Sequence, residues 1–414
     1  MSRPALSPFF LPPGTLPAAR LILWTRALRA FGDGYMSLLL PFYLTLLGFG
    51  ALEVGVIITG TLLGSGVMTL AVGFVAHRYR SRSLLLAASL LMAATGVAFV
   101  AVTDFWPLLV VAFVGTLNPS SGDVSVFSPL EHSLLAHNVS AQSRTALFAR
   151  YSLIGALVGA TGAQAAGVPA FAQHFLAIDL NTALQGMFVF YGALGVASFL
   201  IYRLLSAQPA TQHEMQPTPL GKSKRTVFKL AALFSLDSFA GGFAVQSLLA
   251  LWLFGRFELS IAAAASVFFW VGILSALSQL ASAKIAARFG LINTMVFTHL
   301  PSNMFLILVP LMPTLPLALV FLFLRSALSQ MDVPARTSYV MAVVAPAERP
   351  AAASITAVPR SLAAAVSPAF AGYLLSLTTF GWPLVICGGL KIVYDLLLLK
   401  MFSRVKPPEE TQKA

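Results

Sequence analysis

The stretch SLLLAASLLMAATGVAFVAV occupies residues 83–102 and contains no charged residue and no proline. In an α-helix these residues would extend about 30 Å, which is the thickness of the hydrocarbon core of a bilayer. An apolar run of this length is typical of a helix, because a helix satisfies its own backbone hydrogen bonds in lipid. The stretch therefore predicts a helix that crosses a membrane.

The composition of the whole chain indicates the same environment. Of its 414 residues, 58% are apolar and 10% are charged, and the mean hydropathy is +0.84. A soluble domain carries roughly 25% charged residues, so a soluble enzyme of this length is excluded. The formal net charge of +12 is dispersed between apolar runs, and we therefore expect no nucleic-acid partner. The single cysteine, Cys387, excludes an intrachain disulfide.

Apolar stretches of similar length recur along the chain, separated by clusters of glycine, proline and charged residues. We expect an all-α, polytopic membrane protein with twelve transmembrane helices. The predicted spans are 22–47, 52–76, 83–103, 107–135, 147–168, 183–205, 229–254, 262–286, 291–312, 316–344, 353–377 and 383–403.

A polar, proline-bearing segment separates the first six spans from the last six. The predicted organisation is an N-terminal cytoplasmic segment, a six-helix bundle, a cytoplasmic linker, a second six-helix bundle and a cytoplasmic tail. These regions cover residues 1–19, 20–205, 206–228, 229–404 and 405–414.

The distribution of Lys and Arg predicts the orientation, because positive flanking residues are retained on the cytoplasmic side. If both termini are cytoplasmic, only Arg256 lies on the opposite side, and Arg360 is counted with the cytoplasmic residues. The basic residues inside spans are Arg26, Arg29, Arg325, Arg336 and Lys391. We expect an integral protein of a bacterial inner membrane, that is, the plasma membrane.

The two halves of the chain are related by an internal repeat at a spacing of 204–210 residues. The matched pairs include Asp33 with Asp237, Arg78 with Arg288, Asp123 with Asp332, and Arg150 with Arg360. Because these matches follow chain order, duplication of a six-helix unit explains them better than coincidence. The repeat predicts two pseudo-symmetric bundles.

Three stretches carry a resemblance to a known family. GFVAHRYRSRS at 73–83 and AKIAARFG at 283–290 resemble a short cytoplasmic loop in its two copies, and 323–372 resembles the tenth and eleventh spans with the loop between them. The chain thus resembles the major facilitator superfamily of secondary transporters. His77 replaces the usual aspartate, and Thr116 is the repeat mate of Arg325, so no subfamily is assigned. The resemblance implies a gating role for Gly73, Arg78, Arg82, Arg288 and Gly290.

Acidic residues inside spans are the strongest candidates for function, because an ionised group at membrane depth is costly and normally faces a cavity or a partner. They fall in the first, fourth, seventh and tenth spans, which by resemblance line a central cavity. These acids are Asp33, Asp123, Glu131, Asp237 and Asp332. Repeat-related acids would approach the pseudo-two-fold axis near the midplane, where we expect substrate and protons to bind.

Local spacing predicts the partners of these acids. Arg29 and Asp33 are four residues apart, as are Asp332 and Arg336, and Arg325 precedes Asp332 by seven. By the same rule Lys391 is the expected partner of Asp395.

Asp123 and Asp237 have no basic residue three or four positions away, and desolvation would disfavour their charged form. We therefore expect them to be the proton-coupling residues. The alternative, strongest for Asp123 and Glu131, is that a buried carboxylate only holds helices together by accepting hydrogen bonds.

Aromatic residues, a further arginine and prolines within the spans also lead to predictions. Tyr35 and Phe239 could stack on a lipophilic substrate or could simply pack the interior. Arg26 is expected to be an interfacial anchor whose charged end reaches water. Asn118-Pro119 and Pro334 interrupt helical hydrogen bonding, and we expect the fourth and tenth spans to bend there.

The predicted function is secondary active transport of a small organic solute by alternating access. We expect proton-coupled export, by antiport, of a lipophilic or cationic compound, with proton-coupled uptake of a small organic metabolite as the alternative. A membrane-embedded enzyme is the competing class, and it is disfavoured because neither HExxH nor GxSxG occurs. A channel or scaffold would not need repeat-related buried acids. No cofactor or metal is expected, and the chain is expected to function as a monomer.

Overall fold

A computed structural model of the chain describes residues 17–75, 78–120, 125–137, 141–205, 220–221, 223–344, 348–403 and 405. Over these residues the fold consists of sixteen α-helices and one 3-10 turn, without any strand. The predicted all-α architecture with twelve spans is confirmed.

The first half of the chain contains eight helices that account for the first six spans. Their bounds are α1 Pro17–Leu46, α2 Ala51–Val75, α3 Ser81–Ala101, α4 Phe105–Val114, α5 Phe127–His137, α6 Ala141–Ala165, α7 Val168–Leu176 and α8 Leu180–Arg203. The fourth span is divided between α4 and α5, and α7 is a short helix that connects the fifth and sixth spans.

The second half also contains eight helices that account for six spans. Its helices are α9 Lys224–Gly242, α10 Gln246–Phe257, α11 Ile261–Phe289, α12 Leu291–Leu308, α13 Leu315–Leu328, α14 Asp332–Val343, α15 Arg349–Leu377 and α16 Trp382–Phe402. The 3-10 turn, Val309–Leu311, follows α12 directly. The seventh span is divided between α9 and α10, and the tenth between α13 and α14.

Eight helical stretches of the described chain are long and apolar enough to cross a membrane on those criteria alone. The first span does not meet them, because α1 carries Arg26, Arg29 and Asp33. All three side chains are buried inside the protein rather than exposed to lipid. Buried charge therefore explains why hydropathy underestimates this span.

The interruptions of the spans have local causes. Pro119 lies in the non-helical segment after α4, where its missing N–H would otherwise break a helical hydrogen bond. Pro334 lies in the first turn of α14, where no helical partner for its N–H is needed. The expected breaks in the fourth and tenth spans are therefore confirmed, while the break in the seventh span, at 243–245, has no proline and was not predicted.

Several close helix crossings depend on glycine, and two of them organise the halves. A Cβ at Gly34 on α1 would lie 2.1 Å from the carbonyl oxygen of Gly159 on α6. A Cβ at Gly372 on α15 would lie 2.9 Å from the Cα of Gly55 on α2. The first crossing holds the N-terminal bundle together, and the second joins the two halves.

The domain boundaries predicted from the sequence remain a prediction. Most of the proposed linker, residues 206–219 and 222, lies outside the described residues. The helix that opens the second half, α9, begins at Lys224.

Candidate functional site

A cavity of about 220 Å³ lies between the two halves of the molecule. Most of its wall comes from α9, α14, α15 and α16, and the first half contributes one residue of α2 and one from the break after α4. The lining residues are Leu62, Ser120, Asp237, Ser238, Gly241, Gly242, Val245, Arg336, Arg360, Ser361, Ala364 and Lys391.

Contacts between the halves close one end of this cavity. On α2 and α15, the Gly55–Gly372 crossing is followed by a hydrogen bond of 2.9 Å from the Ala369 N–H to Thr59 Oγ1. Leu62 and Ala364 lie about one turn further along the same helices and line the cavity. The cavity thus begins where the close contact between α2 and α15 ends.

The break between α9 and α10 makes a second closing contact. Ser247 Oγ donates to the carbonyl oxygen of Ser37 on α1 at 2.6 Å, and Ser247 N–H donates to the carbonyl oxygen of Pro119 at 3.2 Å. Gln246 Nε2 donates to Ser37 Oγ at 2.9 Å. The interrupted seventh span therefore contacts both the first span and the interrupted fourth span at this closed end, which the predicted orientation places on the non-cytoplasmic side.

Asp237 is the centre of an ionic network on the cavity wall. The residue is 4% exposed, and its carboxylate accepts hydrogen bonds from Arg336 Nη1 at 2.9 Å and from Lys391 Nζ at 2.6 Å. Arg336 Nη2 lies 3.3 Å from Asp332 Oδ2, one turn away on α14. Arg336 therefore links two carboxylates, and Asp237 links two cations from different helices.

This network corrects two predicted pairings. Asp237 was expected to have no cationic partner, but Arg336 and Lys391 both pair with it. Lys391 was expected to pair with Asp395, whose carboxylate instead contacts His299 Nδ1 at 2.9 Å and Asn303 Nδ2 at 3.0 Å. Both errors have one cause, since the partners lie on neighbouring helices where spacing along one helix carries no information.

The pair formed by Asp332 and Arg336 is confirmed, and the pair formed by Arg325 and Asp332 is wrong. A spacing of seven brings residues together only along a continuous helix, and α13 ends at Leu328 before α14 begins. Arg325 forms no ion pair within the described part of the chain, and its buried Nε has no hydrogen-bond partner there.

In the first half, Glu131 on α5 is the centre of a buried network of polar contacts. Its fully buried carboxylate pairs with Arg29 and accepts hydrogen bonds from Tyr202 OH at 2.5 Å, Tyr151 OH at 2.6 Å and Thr25 Oγ1 at 3.1 Å. These donors come from α1, α6 and α8. Glu131 thus joins four helices, which agrees with the structural alternative considered for it.

Two further charged residues of α1, Arg26 and Asp33, are buried as well. Arg26 is 5% exposed, and its guanidinium lies 5.0 Å from the ring centre of Tyr151, so the expected interfacial anchor is wrong. Asp33 is 7% exposed and remains a candidate for proton or substrate binding. Asp123, the candidate acid of the fourth span, lies outside the described residues.

The two aromatic candidates pack against protein side chains. The Tyr35 hydroxyl donates to the carbonyl oxygen of Met187 at 3.3 Å, and its ring stacks on Phe190. Phe239 contacts Phe243 edge to face, with ring centres 5.4 Å apart. Neither is among the residues that line the described cavity.

The predicted gating residues lie at helix ends and loops. Gly73 is exposed near the end of α2, Arg78 and Arg288 are exposed, and Gly290 joins α11 to α12 with a φ of +85° that favours glycine. Arg82 Nη2 donates to the carbonyl oxygen of Arg203 at 2.7 Å, which ties α3 to the end of α8 within one half. Their role in gating stays a prediction, and His77 lies outside the described residues.

Two basic residues of the site were not selected from the sequence. Lys391 was recognised as lying inside a span, and that position was the available signal for a buried partner. Arg360 was counted with cytoplasmic charge, although it falls within the predicted eleventh span; the structure places it on the cavity wall. Across the described residues, no group of three or more His, Cys, Asp or Glu side chains is placed to hold a metal.

Comparison with known proteins agrees with this architecture. The family model of the Major Facilitator Superfamily matches residues 22–327 and 238–414. The uncharacterized membrane protein YJR124C of Saccharomyces cerevisiae is 26% identical over 420 residues, which cover 93% of this chain and 94% of that protein.

Solved structures share the fold at low sequence identity. A D-xylose-proton symporter superposes with a TM-score of 0.74 at 15% identity, covering 92% of this chain and 97% of that one. The nucleoside transporter NupG gives 0.70 at 14% identity, with 94% and 99% covered. A bacterial homolog of the human lysosomal transporter Spinster, in an inward-facing and occupied conformation, gives 0.71 at 15%, with 94% and 97% covered.

The family match extends over both six-span halves, and the interrupted spans surround a charged cavity. The protein is an integral membrane protein and a transporter rather than an enzyme, and the chain belongs to the major facilitator superfamily.

Proposed function

We propose that this protein is a proton-coupled secondary transporter that moves a small organic solute by alternating access. The observation that carries the proposal is the charged cavity between the halves, closed at one end by contacts between α2 and α15 and between α1 and α10. A solute bound there can leave toward only one side until those contacts open.

The closing contacts are of a kind that can separate. Among the described residues they comprise short polar hydrogen bonds, a glycine crossing and apolar packing such as that of Phe42 against Phe254, without an ion pair. The non-helical segments between α4 and α5 and between α9 and α10 border the closed end and supply backbone that can change its dihedral angles. Rocking of the two halves about the cavity would therefore expose it to the opposite side.

Asp237 is the residue that we propose for proton coupling. It is held as a carboxylate while Arg336 and Lys391 contact it. When a conformational change or a ligand removes those cations, an isolated charge at membrane depth becomes costly, and protonation of Asp237 relieves that cost. Asp33, Asp123 and Asp332 are the remaining carboxylates that we propose for substrate or proton binding.

The orientation proposed from the distribution of Lys and Arg places both termini in the cytoplasm, in a bacterial inner membrane, with the monomer as the working unit. The closed end of the cavity would then face away from the cytoplasm. Export by antiport and uptake by symport differ in the sign of the flux that a proton gradient drives, and the transport assay distinguishes them.

The test uses purified full-length protein in proteoliposomes that contain a pH-sensitive dye. Addition of solutes from a panel of anions, neutral compounds and cations should move protons only with a transported solute, and only when protein is present. Asp237→Asn should abolish transport driven by a pH gradient while leaving solute exchange. Asp104→Asn, a matched change at an exposed residue, should behave as wild type. Unchanged gradient-driven transport in Asp237→Asn would refute its coupling role.

A further inference from the structure

The charges on the cavity wall are unequal in number. The described lining contains three basic side chains, Arg336, Arg360 and Lys391, and one acid, Asp237. Asp332 lies behind Arg336 and supplies a second carboxylate to the same network. Among the described residues, one positive charge of this network therefore has no compensating carboxylate, in a region of the protein where an ionised group is costly to bury.

Of the three cations on this wall, Arg360 is the one that forms no ion pair with a described residue. Carboxylates hold Arg336 and Lys391, as the contacts of Asp237 and Asp332 show. For the Arg360 side chain, no ion pair or hydrogen bond is found among the residues that the structure describes. The excess charge of the cavity can thus be assigned to one guanidinium on α15.

A guanidinium has a preferred ligand chemistry. Its N–H donors form a planar fork that matches the two oxygens of a carboxylate or of a phosphate group. The Lys391 ammonium and the Ser238 hydroxyl lie on the same wall and can donate to an anion, whereas the hydroxyls of Ser120 and Ser361 already donate to Asn118 Oδ1 and to the carbonyl oxygen of Ala357. A ligand anion would therefore supply the negative charge that the wall lacks.

The dimensions of the cavity limit the ligand to a small molecule. Its volume of about 220 Å³ lies below that of sites for drug-sized ligands. Sites for drug-sized ligands occupy about 300–1,000 Å³. The space suits a small metabolite better than a large lipophilic compound.

We propose that the substrate is a small organic anion whose carboxylate or phosphate group is bound by Arg360. This inference rests on the proposed function, because it takes the cavity as the transport site. It replaces the lipophilic or cationic compound that the sequence favoured, since a cation entering this cavity would meet three basic side chains.

The first experiment measures binding to full-length protein in nanodiscs by calorimetric titration. The probes are acetate, succinate, benzoate and phenyl phosphate, and benzamide and benzyltrimethylammonium are the neutral and cationic counterparts of benzoate. We expect at least one anion to bind and its neutral counterpart to bind at least tenfold more weakly. A preference for the carboxylates or for phenyl phosphate identifies the anionic group.

Variants at Arg360 test whether this residue is the anchor. Arg360→Gln should weaken binding of the preferred anion by about 10- to 100-fold, the effect of losing hydrogen bonds to a charged group. Arg360→Lys, which retains the charge without the fork, should restore part of the affinity. Arg256→Gln is the matched control at an exposed position and should bind as wild type. Unchanged elution in size-exclusion chromatography shows that each variant is folded.

Two results would overturn the proposal: no anion binding better than its neutral counterpart to wild type, or Arg360→Gln binding the anion as well as wild type. Uptake of the same radiolabelled probes by proteoliposomes separates this failure from failure of the proposed function. If benzamide or benzyltrimethylammonium is transported and the anions are not, the substrate class is wrong and transport stands. If an anion binds but no probe is transported by wild type, the proposed function fails.

Discussion

Glu131 provides the most direct test of how buried charge stabilises this fold. The change Glu131→Gln keeps the volume of the side chain and removes only its negative charge. In the structure this carboxylate pairs with Arg29 and accepts hydrogen bonds from Tyr151, Tyr202 and Thr25. The variant therefore leaves a buried guanidinium without its counter-ion.

The expected loss of stability follows from these contacts. At about 1.5–3 kcal/mol for each hydrogen bond to a charged group, four contacts would total about 6–12 kcal/mol. That sum is too large, because the glutamine oxygen can still accept two bonds, whereas its NH₂ group cannot accept from a hydroxyl or a guanidinium. Two contacts are lost, and removing one partner of a buried pair costs about 3–5 kcal/mol. We expect a decrease of about 3–5 kcal/mol in the free energy of unfolding.

The assay is reversible unfolding in mixed micelles, in which an increasing fraction of denaturing detergent is followed by circular dichroism. Tyr202→Phe, which removes one hydroxyl donor and leaves the ion pair, should lose about 1–2 kcal/mol. Glu258→Gln makes the same chemical change on an exposed side chain and should lie within about 0.5 kcal/mol of wild type. The reasoning would be refuted if Glu131→Gln lowered the free energy of unfolding by less than about 1 kcal/mol. It would also be refuted if Tyr202→Phe lowered it by more than Glu131→Gln does.

Three further predictions concern helix crossings and the cavity network. Gly34→Ala places a Cβ 2.1 Å from a backbone oxygen of α6 and should reduce the free energy of unfolding by about 1–3 kcal/mol. Gly186→Ala, at a position with open space around it, should leave the free energy of unfolding unchanged. Equal stability of the two variants would contradict this prediction. Gly372→Val should prevent the close approach of α2 and α15, so that transport falls at least tenfold in proteoliposomes while the variant still elutes as folded protein; wild-type transport rates would show that this crossing need not form. Lys391→Met and Asp237→Asn should each destabilise the fold, and the double variant should lose at least about 0.5 kcal/mol less than their sum in unfolding measurements; strict additivity would mean that the pair is uncoupled.

Features that depend only on residues close together in the sequence could be predicted from it. Apolar length predicted all twelve spans, because the requirement for about 20 residues comes from the bilayer rather than from the protein. The pair formed by Asp332 and Arg336 was predicted because both residues lie on α14, where a spacing of four fixes the distance. Pro119 likewise predicted the break after α4, since a missing N–H acts locally.

Contacts between helices could not be predicted in this way. Lys391 is separated from Asp237 by 154 residues, and only the packing of α16 against α9 brings them together. Glu131 and Arg29 are 102 residues apart and meet because α5 packs against α1. Most of the charges inside spans could be identified from the sequence, with Arg360 as the exception, but their pairing depends on the rotation of each helix about its axis. That rotation is set by packing over the whole bundle.

The different positions of these charges indicate how the two halves have diverged. In the first half, Arg29 and Glu131 neutralise each other inside the bundle, and the residues of this half described on the cavity wall are the uncharged Leu62 and Ser120. In the second half, Arg336, Arg360 and Lys391 all reach that wall. A duplicated unit that lines one cavity need not divide recognition equally, because a single substrate breaks the pseudo-symmetry when it binds. The described charges therefore favour different roles for the two halves. The second half would bind the charged group of the solute, and the first half would form a rigid wall, with its charges neutralised internally, against which the second half moves.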